Sequence, residues 1–471
     1  VKYGTRRLGC TPPESKTAII SSSPRETAPT LGTLPANPLI GITPVFSQVS
    51  GVESVAAAAS VTAGVLLGLV VVQSVLVWGF VRALRKFEVP LIADLNAPRA
   101  TVIQCLRGSD PFLGDCLRGL LGQNYPHFDV RVIVDSPEDP AHTVLNQVVQ
   151  ELRPPNLRVE NLVEKSPHCS LKCSSLRQVM SSLEPDCEMV AFLDADTIAH
   201  PMWLRELATA LQPSDVGVAT GNRWYMPQKL SVGSVVRYAW NAAAIVQMYH
   251  YRIAWGGTLA LKVRVVRESG LLEKWGQALC EDTMLHAQLK KSGMRVAFSP
   301  SLMMINRENT SLGGFFTWVS RQLLTAKLYH PAWPAVVLHG VVSTLVPWAV
   351  AAMFVVGIAN QNIAVMSISL AAIVVYAVSL VLALWPMEHA VRRIVASRGE
   401  LSHWVSGWGM MKCAAIMPLT QVVYPAALVV AMLAKSTNWR GIHYKIDGPW
   451  EICMKEYRPY RPEVVLADES L

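Results

Sequence analysis

Charge is what this sequence has least of. Asp, Glu, Lys and Arg make up only 16% of the 471 residues, against about 25% in ordinary soluble domains. The shortage is concentrated. No charged residue falls between Glu53 and Arg82, and after Lys327 the next is Glu388. Runs of that length argue against a wholly water-soluble chain and point to a bilayer. A basic stripe interleaved with aromatics is also missing, so nucleic-acid binding is not expected despite the net charge of +8. The basic residues gather instead where apolar runs end, at Arg82, Arg85 and Lys86 and again at Arg392, Arg393 and Arg398. Clusters so placed anchor a cytoplasmic face. The nine cysteines lack paired spacing, which excludes a disulfide framework. Cys169 and Cys173 lie beside His168, but no second ligand pair at finger-like spacing accompanies them, and a zinc site is not expected.

What is present divides the chain. Residues 1–52 are rich in Ser, Thr, Pro and Gly and read as a disordered tail. Residues 53–86 hold the apolar run Val55 to Val81, longer than the roughly 20 residues that span a bilayer. It lies too far from the start, and runs too long, for a cleaved signal peptide. Residues 97–330 have globular composition. Short β-branched or apolar runs at Val102–Leu106, Val130–Val134 and Val190–Leu193 alternate with helical stretches such as Gly114–Leu121 and Pro201–Leu211. That alternation predicts an α/β domain with a mostly parallel sheet and ligands beyond the carboxyl ends of its strands. Residues 331–435 carry three further apolar runs, Trp333–Ile358, Ile363–Met387 and Ala414–Leu433, and residues 436–471 read as a C-terminal tail. Four crossings with the α/β domain inside would put both termini outside. The tail's Lys435, Arg440, Lys445 and Lys455 sit poorly there, so one run is open to a re-entrant or interfacial reading.

Carboxylates mark the strand ends. Val130–Val134 runs into Asp135, with Asp139 close behind, and a carboxylate there can accept hydrogen bonds from a nucleobase; a simple turn is the bland alternative. Val190–Leu193 runs into Asp194-Ala195-Asp196, where one carboxylate can orient a ribose and the other hold Mg2+ or Mn2+ together with substrate phosphates. Cys280-Glu281-Asp282 precedes a predicted helix over Thr283–Lys291. Asp282 is either an N-cap or a general base taking the proton from an attacking hydroxyl. Gly256 and Gly257, some 25 residues earlier, either form a tight turn or let the backbone approach a sugar.

Taken in order, Asp135, Asp194-Ala195-Asp196, Glu281-Asp282, an aromatic amphipathic stretch and membrane spans resemble the membrane-bound family 2 glycosyltransferases over about residues 97–330 and the flanking spans. Within them the chain is most similar to ceramide glucosyltransferase and its bacterial relatives, through Asn124-Tyr125-Pro126, Asp139-Pro140-Ala141, Ala254-Trp255-Gly256-Gly257-Thr258 and the ending Asn438-Trp439-Arg440-Gly441-Ile442-His443-Tyr444. The resemblance implies a glycosyltransferase A-type, Rossmann-like domain, a UDP-sugar donor, Mg2+ or Mn2+, inversion, a membrane-lipid acceptor and a cytosolic catalytic domain on an integral membrane protein. It makes Asp282 the general base. The donor set becomes Asp135, Asp139, Lys172, Asp194, Gly256, Gly257, Glu281 and Arg321, with Asp194 and Asp196 at the metal.

One departure stands out. The family's Q-x-x-R-W or R-x-x-R-W signature matches Arg321-Gln322-Leu323-Leu324-Thr325, so Leu324 and Thr325 replace its arginine and tryptophan. The change weighs against a processive polysaccharide synthase of the cellulose or hyaluronan type. A decayed, non-catalytic scaffold is the alternative of another class, but the acidic motifs are all retained. The stretch Phe315–Leu328 predicts an interfacial helix.

Overall fold

The computed structural model describes residues 45–400 and 407–461. The expected N-terminal tail, as far as residue 44, lies outside them. A long helix α1 (Val45–Leu84) leads into the alternating unit β1 (Ala100–Leu106), α2 (Leu113–Leu121), β2 (Phe128–Val134), α3 (Ala141–Leu152), β3 (Leu157–Asn161), α4 (Leu171–Ser181), β4 (Met189–Leu193), α5 (Trp203–Ala210) and β5 (Val216–Tyr225). There follow α6 (Val232–Tyr251), β6 (Thr258–Lys262), the short α7 (Val263–Glu268), α8 (Leu271–Trp275) and α9 (Leu285–Lys291), then β7 (Arg295–Asn306) and α10 (Leu312–Tyr329). Three long helices, α11 (Trp333–Ala359), α12 (Ile363–Ser397) and α13 (Gly407–Leu433), precede a small sheet of β8 (Ser436–Trp439), β9 (Ile442–Gly448) and β10 (Glu451–Glu456).

The main sheet has the order β3-β2-β1-β4-β6-β5-β7. All pairings are parallel except those of β6 with β4 and β5. Both faces are covered, so the strands read as continuous apolar runs rather than alternating ones. Alternation survives in what each side chain meets. Met189, Ala191 and Leu193 pack on α2, α3 and α5, whereas Val190 and Phe192 face the core shared with α4 and α6. Arg107, Asp135 and Asp194 each follow the last residue of a parallel strand, so β1, β2 and β4 deliver them to one edge. Serines start three of the helices: the side chains of Ser170, Ser231 and Ser311 accept from backbone N–H groups three residues on, capping α4, α6 and α10. The expected combination of an α/β domain with membrane helices is thus what the chain forms.

Among the described residues, four helices are long and apolar enough to cross a membrane: Glu53–Leu84 within α1, α11, α12 and α13. The first three form a bundle in which Ala63, Leu66 and Leu69 meet Val350, Ala372 and Tyr376. Val71, Leu345 and Leu382 remain exposed outside it, as lipid-facing residues are. α13 behaves differently. Its buried residues from Cys413 to Ala431 belong to the same apolar core as the α/β domain, and Lys327 of α10 donates to the carbonyls of Ala431 (3.2 Å) and Met432 (2.7 Å) at its end. The small sheet therefore lies against the α/β domain, where Met454 N donates to Pro167 O at 2.7 Å. The end of α13 and the small sheet thus stand beside the α/β domain.

α12 is pinned to the sheet by one buried carboxylate. Glu388 accepts from Trp224 Nε1 (2.8 Å), Tyr238 OH (3.0 Å) and Arg392 Nε (2.7 Å). Glu388→Ala takes the carboxylate away from a buried guanidinium, a change that costs about 3–5 kcal/mol. A clear fall in apparent melting temperature in detergent is expected, whereas Glu388→Gln, which still accepts two bonds, loses less.

Candidate active site

The loop Trp255-Gly256-Gly257 and the segment Cys280-Glu281-Asp282 close over the edge where β1, β2 and β4 end. Lys172, in the first turn of α4, reaches between them: its Nζ lies 2.7 Å from Asp194 Oδ1 and 2.6 Å from Glu281 Oε1. The two glycines are needed for this closeness. A Cβ at Gly256 would overlap Glu281 Oε1, and one at Gly257 would overlap the Trp255 ring and stand 2.8 Å from Asp194 Oδ2. Asp282 is held by the backbone, its Oδ2 accepting from Gly256 N (2.8 Å) and its Oδ1 from Thr283 N (2.6 Å). The helix expected from Thr283 begins at Leu285, after a cap at Met284, so Asp282 is not its N-cap.

These residues line a pocket of about 140 Å³ that brings together Arg107, Asp135, Lys172, Asp194, Arg223, Trp255, Gly256, Glu281, Asp282, Arg321, Trp439, Arg440 and Tyr444. Asp135 Oδ2 is engaged by Arg107 and by Tyr457 OH at 3.2 Å. Its Oδ1 is buried and has no hydrogen-bond partner among the described residues. Burial raises Asp135 even against the Arg107 guanidinium. Asp139 stands apart. Its carboxylate accepts from Gly108 N (3.0 Å) and Ala141 N (2.9 Å), so it shapes the loop and does not line the pocket. Asp196 borders a small neighbouring recess with Asp110, Asn306 and Glu308.

Electrostatics separate the carboxylates. Burial works to raise Asp194, but Lys172 and Arg223 hold it below the usual range. Burial and the charge of Asp194 push Asp196 up to about 6. Asp196 accepts only at 3.2 Å from Thr197 Oγ1 and 3.4 Å from Asn306 Nδ2. A half-buried, weakly bonded carboxyl facing a like charge is the kind of group a hard divalent cation suits. Among the described residues no three His, Cys, Asp or Glu side chains converge as a ready-made metal site, and Cys169 and Cys173 are buried free thiols.

A second cavity, of about 250 Å³, opens on the far side of Asp282. It is walled by α1, α6, α10, α11, α12 and α13, through residues such as Val77, Trp240, Val336, Tyr376, Ala383 and Tyr424. Five residues line both spaces: Arg223, Trp255, Asp282, Gln322 and Thr325. Arg321 borders the polar pocket alone, its guanidinium 5.1 Å from the Trp439 ring. Sequence reasoning gave no site role to Arg107, Arg223, Arg440 or Tyr444. Arg440 and Tyr444 stand in the ending that carried the resemblance, and Arg223 is a charge inside a buried strand.

Residues 61–450 match the model of glycosyl transferase family 21. The chain belongs to that family. Among curated relatives of this family 21 chain, ceramide glucosyltransferase of Gibberella zeae is 33% identical over 112 residues, 22% of this chain and 20% of the relative. That of Pyricularia oryzae is 39% identical over 64 residues, 13% of each. The matched segments thus span a fifth or less of those relatives. A solved mannosyltransferase from Pyrobaculum calidifontis, in complex with GDP-Man and Mn2+, is similar at 15% identity and a TM-score of 0.40, covering 79% of this chain and 98% of that one.

The triad of half-buried Lys172 and Asp194 with buried Glu281 has one cation for two carboxylates. Burial, reinforced by Asp282 and Asp194 and opposed by Lys172, raises Glu281 from 4.5 to about 7. The fold therefore binds a proton that the unfolded chain releases, and stability falls as pH rises through that window. Glu281→Gln removes the loss. Its apparent melting temperature in detergent should exceed the parent's at pH 8 and approach it at pH 5.5; an equal difference at both values would exclude Glu281 as the titrating group.

Proposed function

We propose that this family 21 chain transfers a hexose from a UDP-sugar to a membrane lipid, with inversion, and that Asp282 is the general base. One observation carries the reading: the Asp282 carboxylate borders both the charged pocket and the apolar cavity among the membrane helices. A nucleotide-sugar fits the first, with Asp135 as acceptor for the base and Lys172 near the sugar phosphates. A lipid fits the second, entering beside the interfacial helix α10.

In the proposed reaction the lipid hydroxyl gives its proton to Asp282 as its oxygen bonds to the anomeric carbon. The bond from that carbon to the diphosphate breaks on the opposite face, and UDP leaves with the bonding pair. Two backbone N–H groups hold Asp282 in place and aimed, and Gly256 allows that contact. Mg2+ or Mn2+ at Asp196, with Asp194 beside it, would offset the charge on the leaving diphosphate. The domain face carries Arg82, Arg85, Lys86, Arg392, Arg393 and Arg398, which supports a cytosolic catalytic side.

Asp282→Asn should lower transfer by about 10²–10⁴-fold while UDP binding stays within twofold or so. Near-normal turnover would rule out the base assignment. Excess EDTA should stop UDP release by purified protein, and Asp196→Ala should raise the manganese concentration needed; indifference to EDTA would remove the metal from the proposal. With membranes and radiolabelled UDP-sugars, label should appear in the lipid extract as one or a few sugars per lipid. Label in ethanol-insoluble polymer would contradict the single-sugar product.

A further inference from the structure

Arg223 stands near the end of β5, a strand in which every residue is buried. It is itself 8% exposed. The backbone on each side is pinned, Arg223 N donating to Asn222 Oδ1 (2.9 Å) and Arg223 O accepting from Asn241 Nδ2 (3.0 Å). The guanidinium is clamped between two indoles, 4.7 Å from the Trp255 ring centre and 5.0 Å from that of Trp318. Other buried arginines of the domain, such as Arg131, Arg205 and Arg237, each hold a carboxylate. Arg223 forms no ion pair among the described residues; Asp196, Asp194 and Asp282 act on it only from a distance.

A buried cation is ordinarily paired. The two indoles stabilise the charge and fix the plane of the group, but they take none of its five N–H donors. Those donors border the two cavities beside Asp194 and Asp282. A planar fork that is rigid, cationic and unpaired is a seat for a bidentate phosphate oxygen pair. The nearby helix α10 presents Gln322 and Thr325 to the same space, neither cationic, and its Arg321 lies over Trp439.

We propose that Arg223 binds the diphosphate of the donor and of the released nucleoside diphosphate, in a seat formed with Trp255 and Trp318. This rests on the reading above that the donor is a nucleoside diphosphate sugar. The group neutralises negative charge beside the sugar without touching the proton that Asp282 accepts. Its effect therefore belongs to recognition of the diphosphate and not of the nucleoside.

The test is equilibrium binding of UDP and of uridine to the purified full-length chain. The parent should prefer UDP, and Arg223→Gln should lower UDP affinity by about 10- to 100-fold, the range of one charge-assisted hydrogen bond, while uridine affinity stays within about twofold. Arg223→Lys keeps the charge but not the fork, so a smaller loss, for UDP alone, is expected; it carries the test if the glutamine variant does not fold. Unchanged UDP affinity in the folded variant, or equal losses for UDP and uridine, would overturn the assignment while leaving the transferase reading intact. A parent that binds neither UDP nor GDP would overturn both.

Discussion

The site depends on one ammonium group. Lys172 bridges Asp194 and Glu281, and so ties the first turn of α4 to the end of β4 and to the segment before α9. Without it, two carboxylates would face each other in a medium of low polarity, where like charges repel far more strongly than in water. The rest of the edge follows from that pairing. Glu281 can reach Lys172 only because Gly256 has no side chain in its way. Gly256 in turn offers its N–H to Asp282, so the bridge that neutralises one carboxylate also orients its neighbour toward the open space.

A second constraint comes from the far end of the chain. Arg440 Nη2 pairs with Asp110 at 2.7 Å, Arg107 Nε donates to Arg440 O at 2.8 Å, and Tyr444 OH accepts from Leu171 N at 3.2 Å. These contacts lay β8 and β9 across the polar pocket, with Trp439 and Tyr444 on its wall. They require the chain to return to the domain after its last long helix, which the packing of α13 on α6 and α10 allows. The C-terminal segment is therefore part of the pocket and not an appendage.

Much of this was legible in the sequence. Strand-end carboxylates announce themselves because a short apolar run fixes both the strand and the residue that leaves it; Asp135 and Asp194 were placed on that ground, and both line the pocket. Asp139 shows the limit of the method. It sits at a plausible spacing, but its oxygens are taken by two backbone N–H groups, which no residue pattern reveals. The pairing of Arg107 with Arg440 was out of reach for another reason: their contact joins positions more than 300 residues apart. The missing signature arginine and tryptophan were read as an absence in α10. The structure sets Arg223 of β5 and Trp255 beside Trp318 of that same helix, residues that linear order separates and the fold gathers.

The placement of Asp282 between two unlike spaces bears on what it can do. On one side lie Lys172, Arg223 and the acidic edge of the sheet; on the other, aliphatic and aromatic side chains from the membrane helices. In the proposed transfer, a sugar held on the charged side meets a hydroxyl arriving from the apolar side, and the carboxylate at the border serves both. Water competes as an acceptor wherever a site is open to it, and an apolar wall disfavours ordered water near the base while admitting an acyl chain. Thr325 belongs to that border. A tryptophan there would fill much of the passage that a threonine leaves clear. In the proposed transfer, the exchange gives up an aromatic platform for a growing polysaccharide and keeps open a lateral route by which a single lipid headgroup would reach Asp282.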